Sequence, residues 1–202
     1  ECFFNTILRL PSTKAPHQMY GTAIHYALEH LYEALKKGEK QSASDLVSYF
    51  ITALLREPLS AQDKGVYTEK GRSALTNYFE AKKETFVADA LTEVAFSVDI
   101  PLPSDNERTE IHISGKLDRI ELTNGRHAHV TDYKTGKVKS KNDILGKTQA
   151  SDGSVYRQLI FYKLLLDADA RFVFKGGLID FIEPNPSGKH KEEPFTITNE
   201  EK

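Results

Sequence analysis

A chain of 202 residues, 39% hydrophobic and 28% charged, can bury one substantial core. Its net charge of −2 gives no general basic field for nucleic acid, so any such binding has to come from local clustering. The single cysteine, Cys2, excludes an internal disulfide and an all-cysteine zinc site, and no long uncharged apolar run marks a membrane span or a signal peptide.

The simplest setting is therefore a reducing, intracellular one, and the expected location is cytoplasmic. The chain opens at Glu1 and stops in the polar run TNEEK, which reads as one domain, 1–202, cut from something longer.

Residues 2–10, CFFNTILRL, form a short apolar segment of helical character, followed by a loop marked by Pro11, Ser12 and Pro16. A strong helix is expected over about 21–37. There Ile24, Ala27, Leu28, Leu31 and Leu35 recur at helical spacing and turn one stripe to the core. His25 lies on the flank of that stripe, with Glu29 four residues on and within reach of its ring. Taken alone, His25 is better read as a partly buried histidine satisfied by Glu29. The other reading is a metal ligand whose tautomer Glu29 fixes.

In 38–60, Ser44 or Asp45 can cap a helix running to about Arg56. A further amphipathic helix over 67–86 offers Leu75, Tyr78, Phe79 and Phe86 to the core. Both helices read as architecture. Residues 91–100, LTEVAFSVDI, alternate as a strand does; Pro101 and Pro103 end it, and SDNERTE makes a solvated loop.

Residues 111–137 read as two strands joined by a tight turn, each carrying one aspartate. Asp118 lies near the middle of the first and Asp132 near the end of the second. Side chains alternate with period two, so Asp132 and Lys134 share a face. A carboxylate beside an ammonium, with a second carboxylate on the next strand, is the set that metal-assisted phosphodiester hydrolysis uses. The carboxylates hold a hard divalent cation; the lysine orients or deprotonates the attacking water and offsets charge on the phosphate.

Register decides whether this set assembles. A two-residue loop, Asn124-Gly125, would oppose Asp118 to Thr131 and send the two aspartates to opposite faces. A three-residue loop, Thr123-Asn124-Gly125, would oppose Asp132 to Lys116 and bring Asp118 to the face of both. The sequence permits either.

Residues 136–153 are polar and rich in lysine: Lys137, Lys139, Lys141 and Lys147 against Asp143 and Asp152. Such a run is ordinarily a solvated loop, but its place directly after Lys134 also suits contact with a nucleic-acid backbone. Residues 154–168 form a strongly apolar helix that puts Gln158 and Tyr162 on one face, with Arg157 and Lys163 flanking. Tyr162 in the core with Gln158 at its edge is the plain alternative. Residues 171–184 read as strand, glycine turn and strand; NPSGKHKEE is a turn, and PFTIT begins a last strand. No internal repeat is visible.

Four motifs in order, GTAIH (21–25), GKLDRIE (115–121), TDYKTGK (131–137) and QLIFY (158–162), span about 140 residues. Together they resemble the RecB-like nucleases of the PD-(D/E)XK superfamily, found at the C-terminus of helicase–nucleases and in CRISPR-associated exonucleases. The resemblance implies an α/β, restriction-endonuclease-like fold: a central mixed sheet flanked by helices, with an N-terminal helical portion. In its light His25 becomes a metal ligand, with Asp118, Asp132 and the backbone carbonyl of Tyr133. Lys134 becomes the catalytic lysine, acting with Asp118 and Asp132.

By the same resemblance Gln158 and Tyr162 hold DNA near the scissile phosphate, where Lys137 and Lys139 would add backbone contacts. Thr135 and Gly136 complete the DYKTG run, and Arg119 is read first as structural. The ligand set suits octahedral Mg2+ or Mn2+, the histidine tilting toward manganese. Some relatives hold an iron–sulfur cluster with one cysteine before the histidine and three near the end. Cys2 is followed by no other cysteine, so no cluster is supported. No phosphate-binding GxxxxGK[ST] loop is present either, so a helicase motor would lie elsewhere in the polypeptide or in a partner subunit.

The leading expectation is thus a metal-dependent deoxyribonuclease, an exonuclease by resemblance, acting on single-stranded or unwound DNA in helicase-linked repair or recombination. A non-cleaving DNA-binding module of the same fold is the alternative. A structural or interaction domain is a third reading, and it requires Asp118 and Asp132 to face opposite ways.

Overall fold

The computed structural model describes residues 14–102, 109–149 and 151–198. The helical expectation for 2–10, the loop residues Pro11 and Ser12, and most of the loop over 104–110 lie outside them.

Three helices open the described chain: α1 (Pro16–Lys36), α2 (Ala43–Arg56) and α3 (Ala61–Lys82). Helix α1 starts five residues before the expected point, because Pro16 sits in its first turn, where the missing N–H has no intrahelical partner to lose. Pro16 starts a helix instead of marking a loop. Helix α2 is capped by Ser42 rather than Ser44 or Asp45. The Ser42 hydroxyl accepts from the Asp45 N–H, and the Asp45 carboxylate accepts from the Ser42 N–H. Helix α3 begins under a Ser60 cap, and after it a 3-10 turn (Lys83–Thr85) tucks Phe86 against the helical core.

Five strands follow, β1 (Leu91–Leu102), β2 (Thr109–Thr123), β3 (His127–Lys134), β4 (Val173–Phe181) and β5 (Lys191–Phe195), with α4 (Lys141–Ile144) and α5 (Ser154–Ala168) between β3 and β4. They form one sheet in sequence order, antiparallel except for the β3–β4 pair. Helices α1–α3 build one apolar core that reaches the sheet through Tyr133 and Ile182. Helix α5 builds a second core on the other face with Leu117, Ile120, Val130 and Ile179. This is the expected α/β arrangement, a mixed sheet flanked by helices with a helical N-terminal portion. Among the described residues no helix is long and apolar enough to cross a membrane.

Two strand expectations fail for readable reasons. Gly176 and Gly177 do not turn the chain; β4 runs straight through them. They sit where β3–β4 pairing slips by one residue, with Ala128 facing Phe174 and His129 facing Gly176. A Cβ on Gly177 would stand 3.0 Å from Leu159 of α5, so a side chain there would push helix from sheet. The last strand is KEEPF rather than PFTIT, because its polar Lys191–Glu193 part pairs with Ile179–Phe181 at the sheet edge.

The β2–β3 hairpin closes on Thr123 opposite His127, leaving Asn124, Gly125 and Arg126 as the loop. Asn124 and Gly125 both have positive φ, 51° and 72°, the conformation an Asn-Gly pair tolerates best. The loop has the expected three residues but lies one position further on. The parity is the same; ladder pairing stops at Arg119–Thr131, and Asp118 beyond it accepts from the Tyr133 N–H. The two-residue loop on which the opposite-face arrangement depended is not formed. Lys116, expected to oppose Asp132, instead faces Ala95 of β1, because pairing between β2 and β3 ends at Arg119.

The β1–β2 ladder holds one irregularity, and it lies beside that gap. Leu91 and Val94 both pack in the α5 core, as do Leu117 and Ile120. Residues three apart on a regular strand face opposite ways. Both strands therefore turn over between these pairs, at Glu93 and Asp118. Glu93 has φ of 51°, a left-handed conformation that costs a non-glycine residue about 1–3 kcal/mol.

Candidate functional site

The end of β3 carries a closed ring of four side chains. The Lys134 ammonium lies 2.7 Å from Asp132 Oδ2 and donates to Gln158 Oε1 at 2.7 Å. Gln158 Nε2 donates to the Tyr162 hydroxyl at 2.6 Å, and that hydroxyl donates to Asp132 Oδ1 at 3.1 Å. The parity of β3 aims Asp132 and Lys134 at α5. The four-residue spacing on α5 stacks Gln158 and Tyr162 above them. Leu159, Leu165 and Leu166 anchor that helix to the sheet. Gly115 lets it come close, since a Cβ there would stand 2.8 Å from Leu165 and 2.9 Å from Phe161.

Asp132 is 1% exposed. Burial pushes its carboxyl above the usual aspartate range; the Lys134 ammonium pulls it back, and the nearby Asp118 charge adds to the rise. Burial and the same two carboxylates push the Tyr162 phenol up, so it stays a neutral donor.

Beside the ring, Asp118 fills the gap where β2 parts from β3. Its Oδ2 accepts from the backbone N–H of Tyr133 at 2.8 Å, replacing the ladder bond the strands no longer make. Its Oδ1 lies 3.4 Å from His25 Nδ1, and Glu93 Oε1 lies 3.5 Å from the same nitrogen. Burial works against an imidazolium here, but Asp118 and Glu93 outweigh it and push His25 up to about 10. Burial likewise works against the Glu93 carboxylate, while His25 and Lys116 outweigh it and hold Glu93 below the usual range. Lys116 Nζ lies 2.6 Å from Glu93 Oε2.

Each expected site residue can now be placed. His25, Asp118, Asp132, Lys134, Gln158 and Tyr162 converge at this end of the sheet. The Tyr133 backbone joins them through its N–H, while its ring packs into the helical core. Gly21 lets α1 approach the end of β3, where a Cβ would stand 3.2 Å from Thr135 Oγ1. Gly136, at φ of 106°, turns the chain away directly after.

Lys137 is exposed, and Lys139 is half-buried with its carbonyl accepting from Lys191 Nζ. Arg119 is 8% exposed and ties the sheet to α1. It donates to the Tyr32 hydroxyl and to Thr131 Oγ1, and lies over the Tyr32 and Tyr133 rings.

The expected Glu29–His25 pair is not made; Glu93 and Asp118 occupy that role, and Glu29 lines the adjoining cavity. In the sequence Glu93 occupies an ordinary polar position of an alternating strand. No local pattern signals that the strand turns over there.

His25, Glu93 and Asp118 each offer one donor atom, all within 4.8 Å of one another, a set able to hold a metal ion. One imidazole among carboxylates is an oxygen-rich, mostly hard donor set, which suits a divalent cation. The cavity of about 520 Å³ that opens beside it is lined by Gln18, Thr22, His25, Tyr26, Glu93 and Lys116, among others.

No protein of curated function gives a significant match to this chain. The solved structure titled "Crystal structure of SSO0001" is similar at 18% identity and a TM-score of 0.36, over 87% of this chain and 65% of that one. The chain thus spans under two thirds of that structure's length. The sequence model of the PD-(D/E)XK nuclease superfamily matches residues 3–201. A match over nearly the whole length, on a mixed sheet that gathers the aspartates and lysine of the motif at one end, identifies the chain as a member of the PD-(D/E)XK nuclease superfamily.

Proposed function

We propose that this chain is a divalent-metal-dependent deoxyribonuclease of the RecB-like branch, acting as an exonuclease on single-stranded or unwound DNA. Its place would be beside a helicase motor, in the same polypeptide or a partner subunit, in repair or recombination. The observation that carries the reading is the ring Asp132–Lys134–Gln158–Tyr162 standing directly beside the His25–Asp118 pair.

In this reading His25, Asp118, Asp132 and the Tyr133 carbonyl hold Mg2+ or Mn2+. The bound cation supplies charge stabilisation on the phosphate and a more acidic water. Lys134 would orient the attacking water as a donor, and its ammonium would offset charge developing on the phosphate. One ammonium donor goes to Gln158, and Asp132 Oδ2 lies 2.7 Å away as the charge partner. Gln158 fixes Lys134 through its carbonyl oxygen, and Tyr162 fixes Gln158 through its hydroxyl. The pair therefore sets the lysine's direction as well as flanking the DNA. Lys137 and Lys139, on the segment leaving β3, would meet phosphates beyond the scissile one.

The test is Asp132→Ala and Lys134→Ala, each checked for native circular dichroism and assayed on DNA with Mn2+. Both are expected to lose cleavage while keeping the fold. Unchanged cleavage by either variant sinks the reading. Metal-independent DNA binding without cleavage by the wild type would favour the non-cleaving module.

A further inference from the structure

We propose that Glu93 is a cation ligand of this chain, additional to the His25, Asp118 and Asp132 set, and that Lys116 is the counter-ion it gives up when the cation binds. The inference rests on the metal-dependent reading above and deepens it.

The spacing of the donors is the first argument. His25 Nδ1 stands 3.4 Å from Asp118 Oδ1 and 3.5 Å from Glu93 Oε1. Both separations exceed a good N–H···O bond, about 2.7–3.2 Å. They match the gap of roughly 3–3.5 Å between neighbouring donors that each lie about 2.1 Å from one shared ion. All three donor atoms lie within 4.8 Å of one another, close enough to share one ion.

Backbone placement is the second. The β1–β2 ladder turns over at Glu93 and Asp118 together. A regular strand would direct Glu93 by simple alternation; the left-handed turn at φ of 51° instead sets its carboxylate against His25, across from Asp118. The side chain is 13% exposed and lines the cavity that opens beside the histidine.

Charge is the third. Glu93, Asp118 and Asp132 bring three carboxylates to one sheet end, and Glu29 adds a fourth on the cavity wall. Lys134 serves Asp132, and the Lys116 ammonium serves Glu93 at 2.6 Å. Lys116 is 56% exposed on a long flexible stem, so it can withdraw to water when a divalent charge replaces its own. An ammonium that must leave competes with the cation. Glu93 and Lys116 therefore have opposite effects on affinity.

The experiment is Mn2+ titration followed by electron paramagnetic resonance, on wild type, Glu93→Gln, Glu93→Gly, Lys116→Met and His25→Ala, with melting temperatures of the metal-free proteins. Both Glu93 variants are expected to weaken Mn2+ binding by about 10-fold or more, the scale on which metal sites respond to loss of supporting groups. Lys116→Met is expected to tighten it several-fold. Glycine accepts the left-handed backbone without strain, so Glu93→Gly keeps the test independent of folding. Wild-type affinity in both Glu93 variants, with His25→Ala impaired, overturns the proposal and leaves the nuclease reading standing. No Mn2+ binding by the wild-type protein overturns the reading on which the proposal rests.

Discussion

Replacing Tyr162 by phenylalanine removes one oxygen from the ring and tests whether that ring is closed. Tyr162 is 3% exposed, and its hydroxyl is the only group besides Lys134 seen to serve the Asp132 carboxylate among the described residues. Asp132 is 1% exposed, so water cannot easily take the vacated place. A hydrogen bond to a charged group is worth about 1.5–3 kcal/mol, and leaving a buried acceptor unserved costs on the same scale. Lys134 stays within 2.7 Å of the other oxygen and limits the loss, so about 2 kcal/mol is expected.

For a chain of 202 residues that corresponds to a fall in Tm of roughly 4–8 °C. Calorimetric unfolding of the metal-free protein reads it directly. With saturating Mn2+ the difference should shrink, because a cation on Asp132 offsets the charge that the phenol served. A metal-free Tm within about one degree of wild type would refute the reasoning, since Asp132 would then have another donor.

Three further outcomes follow from the same contacts. Gly71→Ala should lower Tm although it adds about 1 kcal/mol of helix propensity. Its Cβ would stand 2.2 Å from the ring of the fully buried Phe50, and such overpacking costs roughly 1–3 kcal/mol or more; a rise in Tm would mean that Phe50 can retreat. Burial raises the Asp180 carboxyl above its unfolded range while the Tyr78 hydroxyl holds it back. Its stabilising share is therefore full below the unfolded value and is lost as pH rises through the folded one. The Tm difference, Asp180→Asn minus wild type, should grow more positive from pH 4 to pH 8, and a falling difference would contradict this. Finally, His25 is held protonated by Asp118 and Glu93, so Mn2+ uptake at pH 7.5 should release close to one proton. Titration heats in two buffers of different ionisation enthalpy count it, and a count of zero would mean that His25 does not ligate.

What the sequence disclosed was whatever depends on periodicity. Helix α5 runs over 154–168 as its apolar pattern predicts, and its four-residue spacing puts Gln158 beside Tyr162. The hairpin loop has the expected three residues even though it sits one residue later. Events that break periodicity were hidden. Gly176 and Gly177 look like a turn, yet they serve a slip in strand pairing and the close approach of α5. Glu93 looks like any outward glutamate until both strands turn over beside it. Glu29 has the right helical spacing from His25, but the sheet brings two carboxylates nearer. Pro16 signals a break in sequence and a helix start in space, because the same missing N–H suits both.

The most direct test of the account is cleavage of single- and double-stranded DNA by the wild-type chain and by Lys134→Ala, each with Mg2+, Mn2+ or EDTA. The account predicts cleavage by the wild type with either cation, none with EDTA, and none by the variant under any condition. Cleavage that survives EDTA, or that Lys134→Ala retains in full, would contradict it.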